Sequence, residues 1–141
     1  MRWNADRHIA PRALKQYLDK RTSTHLESLG LPGSQGPYLM TVAKLDRPSM
    51  KEVSDYLMVD KSITTRTIGA LIETGFVRND SGDARRYSLV LTEKGEEAVK
   101  VIEEVSSEIW REILSELTEE EIAALKSAAS KINAFLSKDV D

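Results

Sequence analysis

Apolar residues in this chain recur mainly at three- and four-residue intervals, the spacing that lines one face of an α-helix. Pro11 opens such a segment, with Leu14, Tyr17, Leu18 and Leu26 along it, and Gly30-Leu31-Pro32-Gly33 closes it. Tyr38, Leu39, Val42, Ala43 and Leu45 predict a second, shorter helix, with Pro37 suited to its first position. It stops near Asp46-Arg47-Pro48. Ser49-x-x-Glu52 has the spacing of a capping box, in which hydroxyl and carboxylate each satisfy a backbone N–H left open at a helix start. The third helix begins there, with Met50, Val53, Tyr56 and Leu57 as its apolar positions, and runs only to Met58 before Asp60 offers a new N-cap.

The fourth helix, from about residue 61 to 74, places Thr64, Ile68 and Leu71 on one stripe. Ser62, Thr65, Arg66, Gly69 and Glu73 fall on the opposite side, and Gly75 supplies a stop. The period then changes. Phe76-Val77-Arg78 and Tyr87 to Leu91 are β-prone runs around the turn-rich Asn79-Asp80-Ser81-Gly82-Asp83, which predicts a hairpin with a polar tip. Thr92 caps a long helix carrying Ala98, Val101, Ile102, Val105, Ile109, Ile113 and Leu117. A second capping box, Thr118-x-x-Glu121, opens a last helix with Ile122, Leu125, Ala129, Ile132 and Leu136 in a seam. The predicted fold is mainly α with a small β-hairpin wing. We expect one domain over residues 1–141, with a winged helix-turn-helix core at about 36–92 and helices at about 9–30 and 93–138 that pair two chains.

Charge changes this picture only once it is divided along the chain. The net −3 separates into 14 Lys+Arg against 10 Asp+Glu before residue 93 and 6 against 13 from there on. A locally basic surface can therefore meet phosphates while the acidic end is held away. The absence of Cys excludes disulfides, thiolate metal sites and thiol chemistry, and His8 and His25 have no carboxylate neighbour at a metal-binding spacing. No metal or cofactor is expected. Neither a Gly-rich phosphate loop nor a nucleophile elbow is present, which argues against an enzyme. No apolar run approaches the roughly 18 to 20 residues of a membrane span, and the start carries no basic-then-apolar leader. A soluble, cytoplasmic protein without membrane partners is expected.

Helix, tight turn and polar-faced helix followed by a hairpin is the order of a DNA-reading winged module, whose second helix enters the major groove by its N-terminal residues. Those residues here are Lys61, Ser62, Thr65 and Arg66. Arg66 is the candidate base reader, since a guanidinium bonds guanine O6 and N7 together, and Lys61 suits a phosphate. Arg85 and Arg86 lie at the hairpin tip, where an arginine can enter a narrow minor groove. Asp83 is assigned to positioning the tip, because a carboxylate is repelled by phosphates.

Taken in order, Asp60-Lys61-Ser62, Thr65-Arg66, Leu71, Gly75-Phe76-Val77, Asp83-x-Arg85 and Leu91-Thr92-Glu93-Lys94-Gly95 resemble the winged-helix signature of MarR-type bacterial and archaeal regulators. The resemblance spans the chain in element order, with its specific motifs between Asp60 and Gly95. It implies that Asp83 and Arg85 serve the wing, that the first and last two helices form a homodimer interface, and that an effector pocket lies between those helices and the winged core. Arg12, Tyr17, His25 and Tyr38 are the candidate polar groups for such a pocket. Thr64, Thr67 and Gly69 depart from the family pattern, which makes Gly69 either a point of close approach or a local weakness. Trp3 and Trp110 are expected at core or interface contacts. The function expected is a ligand-responsive repressor, acting as a homodimer on a pseudo-palindromic double-stranded operator. The alternative is a winged protein-interaction module that does not bind DNA.

Overall fold

A computed structural model describes residues 10–83 and 85–138 of the chain. Trp3, His8, residue 9 of the expected first helix and Ala84 at the hairpin tip lie outside them. The helices are α1 Pro11–Ser28, α2 Gly36–Lys44, α3 Met50–Leu57, α4 Lys61–Glu73, α5 Glu93–Ile113 and α6 Glu119–Lys138. Strands β1 Val77–Asn79 and β2 Leu89–Leu91 pair antiparallel with Val77 opposite Leu91 and Asn79 opposite Leu89. A 3-10 turn at Gly33–Gln35, absent from the periodicity, precedes α2. The chain groups into a larger unit ending at Ser107 and a smaller one beginning at Glu108.

Local chemistry sets most element ends. Ser49 and Glu52 form the capping box of α3, with Glu52 N to Ser49 Oγ at 3.1 Å and Ser49 N to Glu52 Oε1 at 3.3 Å. Thr118 and Glu121 do the same for α6 at 3.2 and 3.0 Å. Two helices end in Schellman turns. At α1, Gly30 has φ 74° and Leu31 N bonds Leu26 O at 3.0 Å, bringing two buried leucines together. At α4, Gly75 has φ 86° and Phe76 N bonds Leu71 O at 2.9 Å. The turn after α3 has the same hydrogen-bond pattern, Val59 N to Ser54 O at 3.1 Å, but its left-handed position, φ 57°, is held by Met58.

The larger unit has one core. Leu26, Leu31, Leu39, Val53, Ile68, Leu71, Phe76, Val77 and Leu89 are all almost fully buried there. Tyr56 departs from the apolar pattern of α3: it is exposed, with Lys44 Nζ 5.4 Å from its ring centre. Of the two readings for Gly69, open space decides, since a Cβ there would meet nothing within 4 Å. It is a weak point of α4 rather than a contact.

The Thr92–Gly95 segment fastens the start of α5 to the end of α4. Thr92 Oγ1 donates to Gly75 O at 2.5 Å and caps Gly95 N at 3.1 Å, while Lys94 Nζ donates to Thr74 O at 2.7 Å. A Cβ on Gly95 would overlap the backbone oxygen of Phe76, so only glycine fits. In the smaller unit α6 has no buried residue, and Leu125, Ile132, Phe135 and Leu136 stand exposed along it.

Candidate nucleic-acid interface

The tight turn after α3 presents the N-terminal turn of α4 at the surface. Thr64, Ile68 and Leu71 face the core, which leaves Lys61, Ser62, Thr65 and Arg66 exposed. Thr65 Oγ1 donates to Lys61 O at 2.9 Å, so its hydroxyl is oriented by its own helix and keeps acceptor capacity outward. Asp60 occupies the N-cap position but makes no side-chain cap bond, unlike Ser49 one helix earlier.

At the wing, Asn79 organises the hairpin above the two strands. Its Oδ1 accepts from Ser81 N and Ser88 N at 3.2 and 3.0 Å, and its Nδ2 donates to Asp83 O at 3.2 Å. Asp83 Oδ1 accepts from the Arg85 amide at 2.9 Å, and Asp83 and Arg86 form an isolated bridge. Arg85 and Arg86 are both exposed.

Between α4 and the wing runs a cleft of about 450 Å³, lined by Lys51, Lys61, Thr65, Arg85, Arg86 and Tyr87 among others. Four of these six side chains are cations. The cleft therefore joins Lys61 and Thr65 to both arginines of the tip, while Ser62 and Arg66 are exposed beyond it on the same helix. Lys51 was not evident as a site residue from sequence. The signal lay in the helix-turn-helix pattern, whose first helix crosses the phosphate backbone. A hydrogen bond from Lys51 to Asp55 at 2.8 Å, with the charge of that carboxylate, holds its ammonium above the usual lysine range, so it stays cationic.

No protein-family model matches the chain. It is 32% identical over 105 residues to the HTH-type transcriptional regulator YwoH of Bacillus subtilis (strain 168), covering 72% of this chain and 75% of that protein. Its fold matches the crystal structure of a MarR transcriptional regulator from Methanosarcina mazei Go1, with TM-score 0.85 and 25% identity, over 98% of this chain and 94% of that one. The chain belongs to the MarR family of transcriptional regulators. A MarR-family regulator of Listeria monocytogenes, crystallised with a 26mer DNA, shares the fold at TM-score 0.78 and 22% identity, covering 99% of this chain and 93% of that one.

The structure does not bring the four candidate effector residues of this MarR-family chain together. Arg12, Tyr17 and His25 are exposed on α1, whereas Tyr38 is buried in the core. Tyr17 OH accepts from Arg21 Nη1 at 2.6 Å, and His25 Nδ1 lies 3.0 Å from Arg21 O. A cavity of about 580 Å³ lies elsewhere on α1, walled by Thr22, Ser23, Leu26, Ser34, Met40 and Ile102 among others and by none of the four. Gly33 of the 3-10 turn and Gly36, the first residue of α2, also line it, and a Cβ on Gly33 would overlap Ser23 Oγ. Among the described residues, no group of three or more His, Cys, Asp or Glu is placed to hold a metal, and no helix is long and apolar enough to cross a membrane.

Proposed function

We propose that this MarR-family regulator works in the cytoplasm as a homodimer on a pseudo-palindromic double-stranded DNA operator, and represses by occluding the promoter. The carrying observation is the cationic cleft between α4 and the wing, continuous with the exposed face of α4 that bears Ser62 and Arg66. α4 enters the major groove, with Arg66 on guanine and Ser62 and Thr65 on bases or phosphates; Lys61 and Lys51 hold the backbone. Arg85, set by Asp83, enters the adjoining minor groove beside Arg86. The apolar side chains exposed along α6 support a second copy as the other half, which sets two recognition helices about 34 Å apart. The cavity beside α1 supports effector control, since its walls combine the apolar Leu26, Met40 and Ile102 with three hydroxyls and the Lys15–Asp19 ion pair, which suits a small molecule with an apolar body and polar or charged groups.

The test is selection of bound duplexes from a random pool, followed by titration at several salt concentrations. Arg66→Ala should weaken binding by about 1 to 3 kcal/mol and relax preference at its base. Arg85→Ala should weaken binding to all duplexes and flatten the salt dependence. Absence of salt-sensitive binding by the wild-type chain, with both variants behaving alike, overturns the proposal; capture of a protein partner that survives high salt would then favour a protein-docking module.

A further inference from the structure

Arg47 and Asp80 are 33 positions apart in the chain, yet Arg47 Nη2 lies 2.5 Å from Asp80 Oδ2, and Arg47 Nε donates to Ser88 Oγ at 3.2 Å. Arg78 Nε approaches the other carboxylate oxygen of Asp80 at 3.5 Å. The neck of the hairpin, where Asp80 N bonds Ser88 O at 2.8 Å, is thus held from outside by the loop between α2 and α3. That loop also supplies a backbone rung, Leu89 N to Pro48 O at 2.9 Å, immediately before Ser49 caps α3.

Arg47 sits in the left-handed region, φ 48°, which glycine occupies without strain. A turn alone would be served by glycine; the arginine here reaches both Ser88 and Asp80. The Arg47 guanidinium, by hydrogen bond and charge, holds the Asp80 carboxyl below the ordinary carboxylate range, so the pair is ionised at neutral pH.

We propose that Arg47 and Asp80 form a clamp that fixes the angle of the wing to the helix-turn-helix, and that both are positioning residues for the minor-groove contact. This rests on the DNA-binding reading above. Neither side chain reads a base. Asp80 is a carboxylate on a surface meant for phosphates, and as a direct contact it would oppose binding. Its value is in orienting Arg85, which lies on the same hairpin beyond the clamp.

The test compares the wild-type chain with Arg47→Gly, which keeps the left-handed turn and removes the guanidinium, with Asp80→Ala, and with the double variant. Each is titrated on a duplex selected by the wild-type chain, then footprinted in both grooves at saturation. Hydroxyl-radical cleavage reads the minor groove and guanine N7 methylation reads the major groove. Each single variant should bind roughly tenfold more weakly, and the double variant no worse than either single. Minor-groove protection should be lost while guanine N7 protection stays. Loss of protection in both grooves alike would mark a general structural defect and overturn the clamp. Tighter binding by Asp80→Ala, unchanged minor-groove protection, or additive losses in the double variant would do the same. A wild-type chain that protects neither groove of any duplex overturns the DNA-binding reading and this inference together.

Discussion

Leu71 on α4 and Phe135 on α6 both lie on apolar stripes of helical spacing, yet Leu71 is 0% exposed and Phe135 69% exposed. In the larger unit the stripes of α2, α3 and α4 cover one another with Phe76, Val77 and Leu89 of the hairpin. Along α6, by contrast, nothing is buried, although the Leu125, Ile132 and Leu136 spacing is just as regular. The difference teaches that periodicity identifies a face to be covered without naming what covers it. A run of large exposed apolar side chains on a regulator is the usual mark of an association surface.

The largest effect should come from the covered side. Leu71→Ala should lower unfolding stability by about 2 to 5 kcal/mol in urea, since it removes packing from a site with no solvent access. Phe135→Asp should leave helical content intact while weakening self-association by at least about 2 kcal/mol, seen in sedimentation as a shift from two-chain to one-chain particles. A wild-type chain that sediments as a monomer at every concentration would break the comparison, making the α6 stripe ordinary surface. A finer contrast lies within the core itself. The buried hydroxyls of Thr41 and Ser54 donate to Pro37 O and Met50 O at 2.7 and 3.1 Å, whereas the buried Thr64 Oγ1 has no partner. Thr64→Val keeps the shape and removes the orphaned group, so stability should rise by about 1 kcal/mol in the same urea titration. Smallest is Met58→Gly, which relieves a left-handed methionine that is 77% exposed and should add up to about 1 kcal/mol to the thermal or urea midpoint stability.

What the sequence made legible was local. Ser49 with Glu52, Thr118 with Glu121, Gly30 and Gly75 each act within one turn of chain, and each sits where spacing placed it. Asp60 shows the limit of that logic. It is the right residue at the right position, but its side chain makes no cap bond. Features built from distant segments left no periodic trace: the Arg47–Asp80 pair, the cleft that Lys51 lines together with the wing arginines, and the cavity made where the 3-10 turn meets α1. Tyr38 has a polar group suited to a pocket, but its ring was worth more to the core than its hydroxyl to a cavity, and burial placed it there.

The two ends of α4 are secured very differently, and this gives the helix a mechanical character. At its C-terminal end, Phe76 N bonds Leu71 O, Lys94 and Thr92 take the carbonyls of Thr74 and Gly75 just beyond, and Gly95 packs directly against that joint. At its N-terminal end the Asp60 side chain makes no cap bond, and the first turn is seated by Thr64, which is buried against the core. α4 is therefore tied at its root by hydrogen bonds from the segment that follows the hairpin, and at its start by packing. The outer side of that start carries Lys61, Ser62, Thr65 and Arg66, so the residues proposed to enter a groove stand on a turn whose inner side is anchored in the core.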